Sequence, residues 1–189
     1  MSRPLLKPLL ILALASLAAM VLSVGTGSVS VAPGQVLAVL LGEGSNLQQT
    51  LVLELRLPRT LSAFATGGLL AGAGALMQVL LRNPLADPYV LGLSGGAAVG
   101  ALLAMLAGLG GLIVSGSAFA GALLATLMVF GLAHGTGSWT PSRLLLTGVV
   151  VAAGWGAVIT LMLAISPAQR LPGMLYWLMG DVSYARSPW

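Results

Sequence analysis

Long uncharged apolar runs alternate with short polar segments along this chain. The runs lie at residues 8–24, 60–81, 89–109, 112–133 and 144–165. An α-helix rises about 1.5 Å per residue, so roughly 20 residues cross the hydrocarbon core of a membrane. A sixth apolar stretch, 173–179, is too short to span and predicts an interfacial or re-entrant helix. The pattern predicts an all-α, polytopic transmembrane helix bundle of about five spans plus one short helix, with residues 1–189 forming a single domain.

Small residues recur every fourth position within these runs. The second run carries Ala63, Gly67, Ala71 and Ala75, the third carries Gly92, Gly96, Gly100, Ala104 and Gly108, and the fifth carries Gly148, Ala152 and Gly156. A helix face without bulk lets another helix approach closely in lipid. Because only a short glycine turn separates the third run from the fourth, we expect these two helices to be antiparallel neighbours.

The connection between the second and third runs is predicted to be a tight hinge of Asn83, Pro84, Asp87 and Pro88. Proline restricts the residue before it and lacks an N–H, so Asn83-Pro84 ends one helix. Asp is a favoured N-cap and Pro suits the first helical position, so Asp87-Pro88 starts the next. These helix-ending and helix-starting roles account for the four residues without a transport site.

Composition supports a membrane protein and argues against other classes. The chain is 58% hydrophobic and 6% charged, whereas an ordinary soluble domain has roughly 25% charged residues. Cysteine is absent and there is one histidine, so we expect no enzyme activity, no metal site and no cofactor bound by this chain. Its eight basic residues are dispersed, which does not favour nucleic acid as a partner. Membrane lipid is the expected surrounding.

Basic residues before the first run indicate an uncleaved helix with a cytoplasmic N-terminus, since no small-x-small cleavage site follows. This orientation places Arg3, Lys7, Arg82 and Arg143 inside and Arg56, Arg59, Arg170 and Arg186 outside. The two counts are equal, so the basic residues outside need a physical reason. Five spans ending at Trp189 without a closing basic tail also lead us to expect that the sequence is part of a longer protein.

Several blocks together resemble one bacterial family. They are Arg56-Leu-Pro-Arg59, Gln78, Arg82-Asn-Pro-Leu-Ala-Asp-Pro88, Leu91-Gly-Leu-Ser-Gly-Gly-Ala97, Ser142-Arg-Leu-Leu-Leu-Thr-Gly148 and Tyr176-Trp-Leu-Met-Gly180. In this order they are similar to the signature of ABC-importer permeases that take up iron-siderophores, haem and vitamin B12. The resemblance implies a ten-span subunit, of which this chain is about the first half.

The resemblance also implies partners and a location. A second permease subunit would complete a homodimer or close heterodimer in the bacterial inner membrane. Two cytoplasmic ATPase subunits would bind ATP, and a periplasmic substrate-binding protein would deliver the chelate. Alternating access would then be coupled to the ATPase. Two other classes remain open, namely a membrane channel and a non-transporting anchor or assembly subunit.

Individual roles carried over from the family each have a simpler alternative. Arg56 and Arg59 would dock carboxylates of the binding protein, or only anchor the span at the outer headgroups. Thr140 and Ser142 would form a cytoplasmic gate, or an ordinary N-cap of the fifth span; Trp139 and Pro141 depart from the family pattern there.

Two further roles concern the path itself. Gln78 would line it, or hydrogen-bond to a neighbouring helix, which we favour. The short helix carrying Met174, Trp177 and Gly180 would be a periplasmic gate, or a membrane-surface anchor. His134, which has no carboxylate near it in sequence, is expected to be an interfacial residue rather than a proton relay.

Overall fold

A computed structural model of the chain describes residues 3–134 and 140–182, with side chains described from Leu6 onward. Every regular element in these ranges is helical, so the all-α prediction is confirmed. The elements are α1 (Arg3–Gly25), α2 (Pro33–Leu40), α3 (Asn46–Gln49), a π-helical segment (Thr50–Arg56), α4 (Leu57–Leu81), a 3-10 helix (Pro88–Leu91), α5 (Leu93–Leu106), α6 (Leu112–His134), α7 (Pro141–Ile165) and α8 (Leu171–Met179).

Four helical stretches in the described ranges are long and apolar enough to cross a membrane. They are Leu6–Gly25, Asn46–Leu81, Leu112–His134 and Pro141–Ile165. The third predicted span, 89–109, contains a shorter apolar helix, α5, whose 14 residues rise roughly 21 Å. The short helix predicted at 173–179 is present as α8.

The prediction of one continuous helix over 89–109 is wrong because glycines interrupt it at both ends. Gly92 adopts a left-handed conformation with φ 70° and separates the 3-10 helix from α5. This backbone brings Gly92 so close to α7 that an added Cβ would lie 3.2 Å from Ala152 Cα. At the other end Gly108 has φ 78°, and Leu109 N donates to Ala104 O over 2.9 Å, which closes the helix.

The segment before α4 is helical, although it follows turn-forming residues at Gly42, Gly44 and Ser45. Ser45 Oγ accepts from Gln48 N over 3.4 Å, and Gln48 Oε1 accepts from Ser45 N over 3.1 Å. This reciprocal pair is a capping box, and it starts the helix at Asn46. The spacing of Ser45 and Gln48 is the signal in the sequence for this helix start. The glycines just before Ser45 favour a turn and make that signal hard to recognise.

The described chain divides into two compact units. The first contains the described residues up to Gly68 together with Val182, and the second is Leu69–Asp181. In the first unit, an apolar cluster of Val24, Val31, Val39 and Val52 is buried. The hydroxyl groups of Ser23 and Thr60 lie 2.9 Å apart and join α1 to α4 by a hydrogen bond.

In the second unit, α5 and α6 pack backbone to backbone. A Cβ added at Gly96 would lie 2.5 Å from both Ala125 Cβ and Gly121 O. Gly100 approaches Ser117 and Gly121 in the same way, so rising numbers on α5 meet falling numbers on α6. The prediction that these helices are antiparallel neighbours is therefore confirmed.

The small residues of α4 do not make such contacts within the described ranges. A Cβ added at Gly67, Gly68, Gly72 or Gly74 would meet no atom within 4 Å. On α7 the predicted close approach holds at Gly148, where a Cβ would lie 2.6 Å from Val90 O, but Gly156 is open. Close packing is therefore concentrated where α5, α6 and α7 meet.

Candidate functional site

Arg56 caps the end of α1. Its Nη1 donates to Val24 O over 3.0 Å and to Gly25 O over 3.2 Å, and its Nη2 donates to Val29 O. The last carbonyl groups of a helix lack intrahelical donors and carry partial negative charge, so a guanidinium group satisfies both needs. The loop after α1 is thereby drawn onto the arginine, and a Cβ on Gly27 would lie 2.7 Å from Nη2.

Arg56 and Arg59 border one depression within the first unit. It has a volume of about 350 Å³, and hydroxyl groups of Ser23, Thr26, Ser28 and Thr60 lie along it. Both arginine side chains are half-buried. The structure therefore brings the two predicted docking residues together, but most of the Arg56 hydrogen-bonding capacity is used inside the chain. Their docking role stays a prediction.

Arg170 caps α5 in the same manner. Its Nη1 donates to Met105 O over 3.2 Å and also to Leu106 O, the last two carbonyl groups of that helix. The bonds join residues 64 and 65 positions apart, so no local pattern in the sequence could have identified this role. Two of the four arginines predicted to lie outside thus have a physical reason to be there. Arg186 lies outside the described residues.

The hinge between α4 and α5 is held by hydrogen bonds at both ends. Asn83 N donates to Gln78 O over 3.1 Å, and Asn83 Oδ1 accepts from Leu85 N over 2.9 Å. At the other end Asp87 Oδ1 accepts from Tyr89 N over 2.7 Å. The predicted capping by Asp87 is confirmed, although it caps the 3-10 helix that begins at Pro88 rather than an α-helix.

Arg82 provides a test of this helix end. Its φ is 50°, a left-handed conformation that costs an ordinary residue roughly 1–2 kcal/mol. We expect Arg82→Gly to raise the free energy of unfolding by about 1 kcal/mol, because glycine adopts this conformation without a steric penalty. Arg82→Ala removes the same charge but keeps the strain. Thermal unfolding of both variants checks the prediction, and equal shifts would contradict it.

Thr140 caps α7, because its Oγ1 accepts from Arg143 N over 3.3 Å. The alternative of an ordinary N-cap is therefore confirmed for Thr140, while Ser142 is exposed in the first turn. Thr140 and Pro141 border a depression of about 310 Å³ with Leu80, Arg82, Ala133 and Leu144. The gate remains a prediction, and Trp139 lies outside the described residues. His134 ends α6.

Gln78 is exposed on the last turns of α4. Both interpretations of Gln78 stay predictions.

The predicted gate residues of α8 divide into three environments. Met174 is 1% exposed and packs with Leu102 and Met162. Trp177 is half-buried against Ala101, Ala104 and Val114. Gly180, with φ 87°, follows the end of the helix. Met174 is thus a core residue, and the role of the helix as a gate is a prediction that its packing leaves open.

A profile of the FecCD transport family matches residues 12–188. The chain belongs to the FecCD transport family. Sequence comparison also finds it 40% identical over 169 residues to the achromobactin transport system permease protein CbrC of Dickeya dadantii, covering 88% of this chain and 48% of that protein. It is also 43% identical over 153 residues to the vitamin B12 import system permease protein BtuC of Vibrio cholerae, and the match covers 74% of this chain and 43% of that protein.

Structural comparison agrees with the FecCD assignment. A solved transporter classed as the metal-chelate ABC type, in an inward-facing conformation, matches with a TM-score of 0.80 and 28% identity, covering 95% of this chain and 55% of that one. The chain spans about half the length of the curated relatives it matches. With its apolar helices, this FecCD family chain is a multi-pass membrane protein.

Proposed function

We propose that this chain forms part of the permease subunit of an ATP-driven importer for iron-siderophores or related chelates, with haem and vitamin B12 as the other candidates. The observation that carries the proposal is the match of residues 12–188 to the FecCD transport family. The named relatives for achromobactin and vitamin B12 support the substrate class. Two permease subunits would face each other, with two cytoplasmic ATPase subunits and a periplasmic binding protein.

The packing of the second unit supports alternating access by rigid groups. The backbones of α5 and α6 touch at Gly96, Gly100 and Gly121, and α7 touches the 3-10 helix at Gly148. Helices in such close contact tilt together more easily than they slide, since sliding would drive Cβ atoms into neighbouring carbonyl groups. Force from the ATPase subunits would therefore reach the path as a movement of the whole α5–α7 group. The chelate path would lie where two such groups meet.

The substrate-binding protein is proposed to dock beside the depression that Arg56 and Arg59 border. A guanidinium group pairs with a carboxylate through two parallel hydrogen bonds and steers an acidic partner. Arg56 donates to three carbonyl groups and holds the loop 26–29 in place, and Arg59 borders the same depression; both arginines are proposed to meet carboxylates of the partner.

Salt dependence tests this docking. We expect Arg59→Gln in the full-length protein to weaken the affinity for the binding protein by roughly tenfold at low salt, the factor for one charge-assisted hydrogen bond. The difference from wild type should shrink as salt rises. Binding-protein titration onto detergent-solubilised transporter measures it. Arg143→Gln on the opposite predicted side is the control, and an equal effect there would contradict the docking site.

Uptake by the full-length protein with its partners tests the function itself. Reconstituted in vesicles, it should accumulate a labelled ferric siderophore or cobalamin only when both ATP and the binding protein are supplied. Passive equilibration without ATP would indicate a channel instead. Absence of any flux, with correctly assembled subunits, would indicate an anchor or assembly subunit.

A further inference from the structure

The N-terminus of α8 is bonded to the C-terminus of α5 through the guanidinium group of Arg170. Arg170 is the N-cap of α8, and its guanidinium group donates to Met105 O and Leu106 O at the end of α5. Met105 O also accepts from Gly108 N over 3.0 Å, and the negative end of the helix dipole makes both carbonyl groups attractive to a cation. The bond therefore satisfies a need of α5 while it fixes the start of α8.

Apolar contacts continue along the same face of α8. Met174 is buried with Leu102 of α5 and Met162 of α7, and Leu178 packs against the same cluster. Ser166 Oγ lies 3.4 Å from Met174 Sδ. Trp177 packs against Ala101 and Ala104 of α5 and Val114 of α6. Residues 170, 174, 177 and 178 fall on one helical face, so contact extends over the whole length of α8.

A flap that swings on its own would lose all of these contacts. Opening would leave two carbonyl groups of α5 without their cation and would expose Met174, which is 1% exposed in the structure. By contrast, α8 keeps all of these contacts if it moves as one body with the α5–α7 group, to which Leu102, Met162 and Val114 belong. The residues that face away, Tyr176 and Met179, are 65% and 80% exposed.

We infer that α8 moves together with α5 rather than as a separate flap, and that Arg170 is the positioning residue that joins the two helices. This inference rests on the proposed transport function. Opening at the predicted gate is then a displacement of α8 together with the α5–α7 group, with Arg170 holding α8 to the end of α5.

An arginine suits this role better than a lysine. Its planar fork offers several donors in fixed geometry, so it holds two carbonyl oxygens at once, whereas an ammonium group is a more strongly hydrated point charge. In the full-length transporter, Arg170→Gln should lower the maximum uptake rate by roughly tenfold, as for the loss of one hydrogen bond from a charged group. Arg170→Lys should restore part of that rate.

The affinity for the binding protein separates positioning from a docking defect. We expect the concentration of binding protein at half-maximal uptake to stay unchanged in Arg170→Gln, because the contact is internal. Tyr176→Ala, on the exposed face of α8, is the control and should leave both quantities unchanged. An unchanged maximum rate in Arg170→Gln, or a lysine variant no better than the glutamine variant, would overturn the role of Arg170.

A covalent link tests the joint movement directly. Residues 1–189 contain no cysteine, so in a full-length protein whose other cysteines are replaced, Leu106→Cys with Arg170→Cys introduces one defined pair in each subunit. The uncrosslinked double variant should transport slowly. Joining the pair with a reducible bifunctional reagent that spans the lost arginine side chain should restore uptake, and reduction should remove the gain. If the link stops uptake and reduction restarts it, α8 must leave α5 and the inference fails. Wild-type uptake measured alongside reports separately on the proposed function.

Discussion

Gly121→Ala should destabilise the full-length protein, whereas Gly116→Ala on the same helix should not. A Cβ on Gly121 would lie 2.9 Å from Gly96 C and 3.3 Å from Gly100 Cα, and it would press still closer on Gly96 O. All three are backbone atoms and cannot turn away. We expect a loss of about 1–3 kcal/mol in the free energy of unfolding, as for other overpacked interiors. Thermal unfolding in detergent measures it.

The control for this substitution lies five residues earlier on α6. A Cβ on Gly116 would meet no atom within 4 Å among the described residues. Replacing glycine with alanine inside a helix otherwise gains roughly 0.5–1 kcal/mol, because alanine loses less backbone entropy on folding. The two substitutions should therefore have opposite signs. Two stabilising substitutions would mean that α5 and α6 are further apart than the structure has them.

Met174→Ala should have a large effect on stability, and Met179→Ala should have almost none. The two residues lie on the same short helix, but Met174 is 1% exposed and Met179 is 80% exposed. Truncating a buried methionine costs about 2–5 kcal/mol, since the cavity it leaves between Leu102 and Met162 is only partly refilled.

This pair also distinguishes a core residue from a path residue. If Met174 lined the path, its truncation would change the uptake rate and leave the unfolding temperature unaltered. We expect instead that Met174→Ala lowers the unfolding temperature. The uptake rate should fall only in proportion to the amount of protein that remains folded. Unfolding and uptake measured on the same preparations decide between the two.

The sequence predicts the helical elements well where local physics decides them. The presence of a helix in each of the five uncharged runs follows from residue type and spacing, and so do the caps at Asp87 and Thr140 and the antiparallel arrangement of α5 and α6, whereas the interruption of the third run at Gly92 does not. These features depend on neighbours within a few positions or on a connection too short to allow another arrangement.

Features that depend on distant residues could not be predicted. The small residues of α4 follow the same four-residue spacing as those of α5. Of these two helices, only α5 has another helix packed against its glycines in the described ranges. Spacing shows that a close approach is allowed, and it does not show which helix approaches. Arg56 and Arg170 were likewise recognisable only as charges, because their carbonyl partners lie about 30 and 65 residues away along the chain.

Two of the four basic residues predicted to lie outside, Arg56 and Arg170, have a structural role there as helix caps. Positive charge is normally retained on the cytoplasmic side of a membrane protein. An arginine bound to the last carbonyl groups of a helix is stabilised by the negative end of the helix dipole. The ends of α1 and α5 therefore give Arg56 and Arg170 a reason to lie on the predicted outer side.

The proposed roles require one orientation in the membrane, with the N-terminus in the cytoplasm. It places Arg59 and α8 on the periplasmic side and Thr140 on the cytoplasmic side. Single cysteines at Glu43 and at Leu85, both exposed, test it in an otherwise cysteine-free full-length protein. A membrane-impermeant maleimide applied to intact cells, in which the periplasm is accessible, should label Glu43→Cys. It should label Leu85→Cys only after the inner membrane is opened. Labelling of Leu85→Cys in intact cells, with Glu43→Cys protected, would contradict the account.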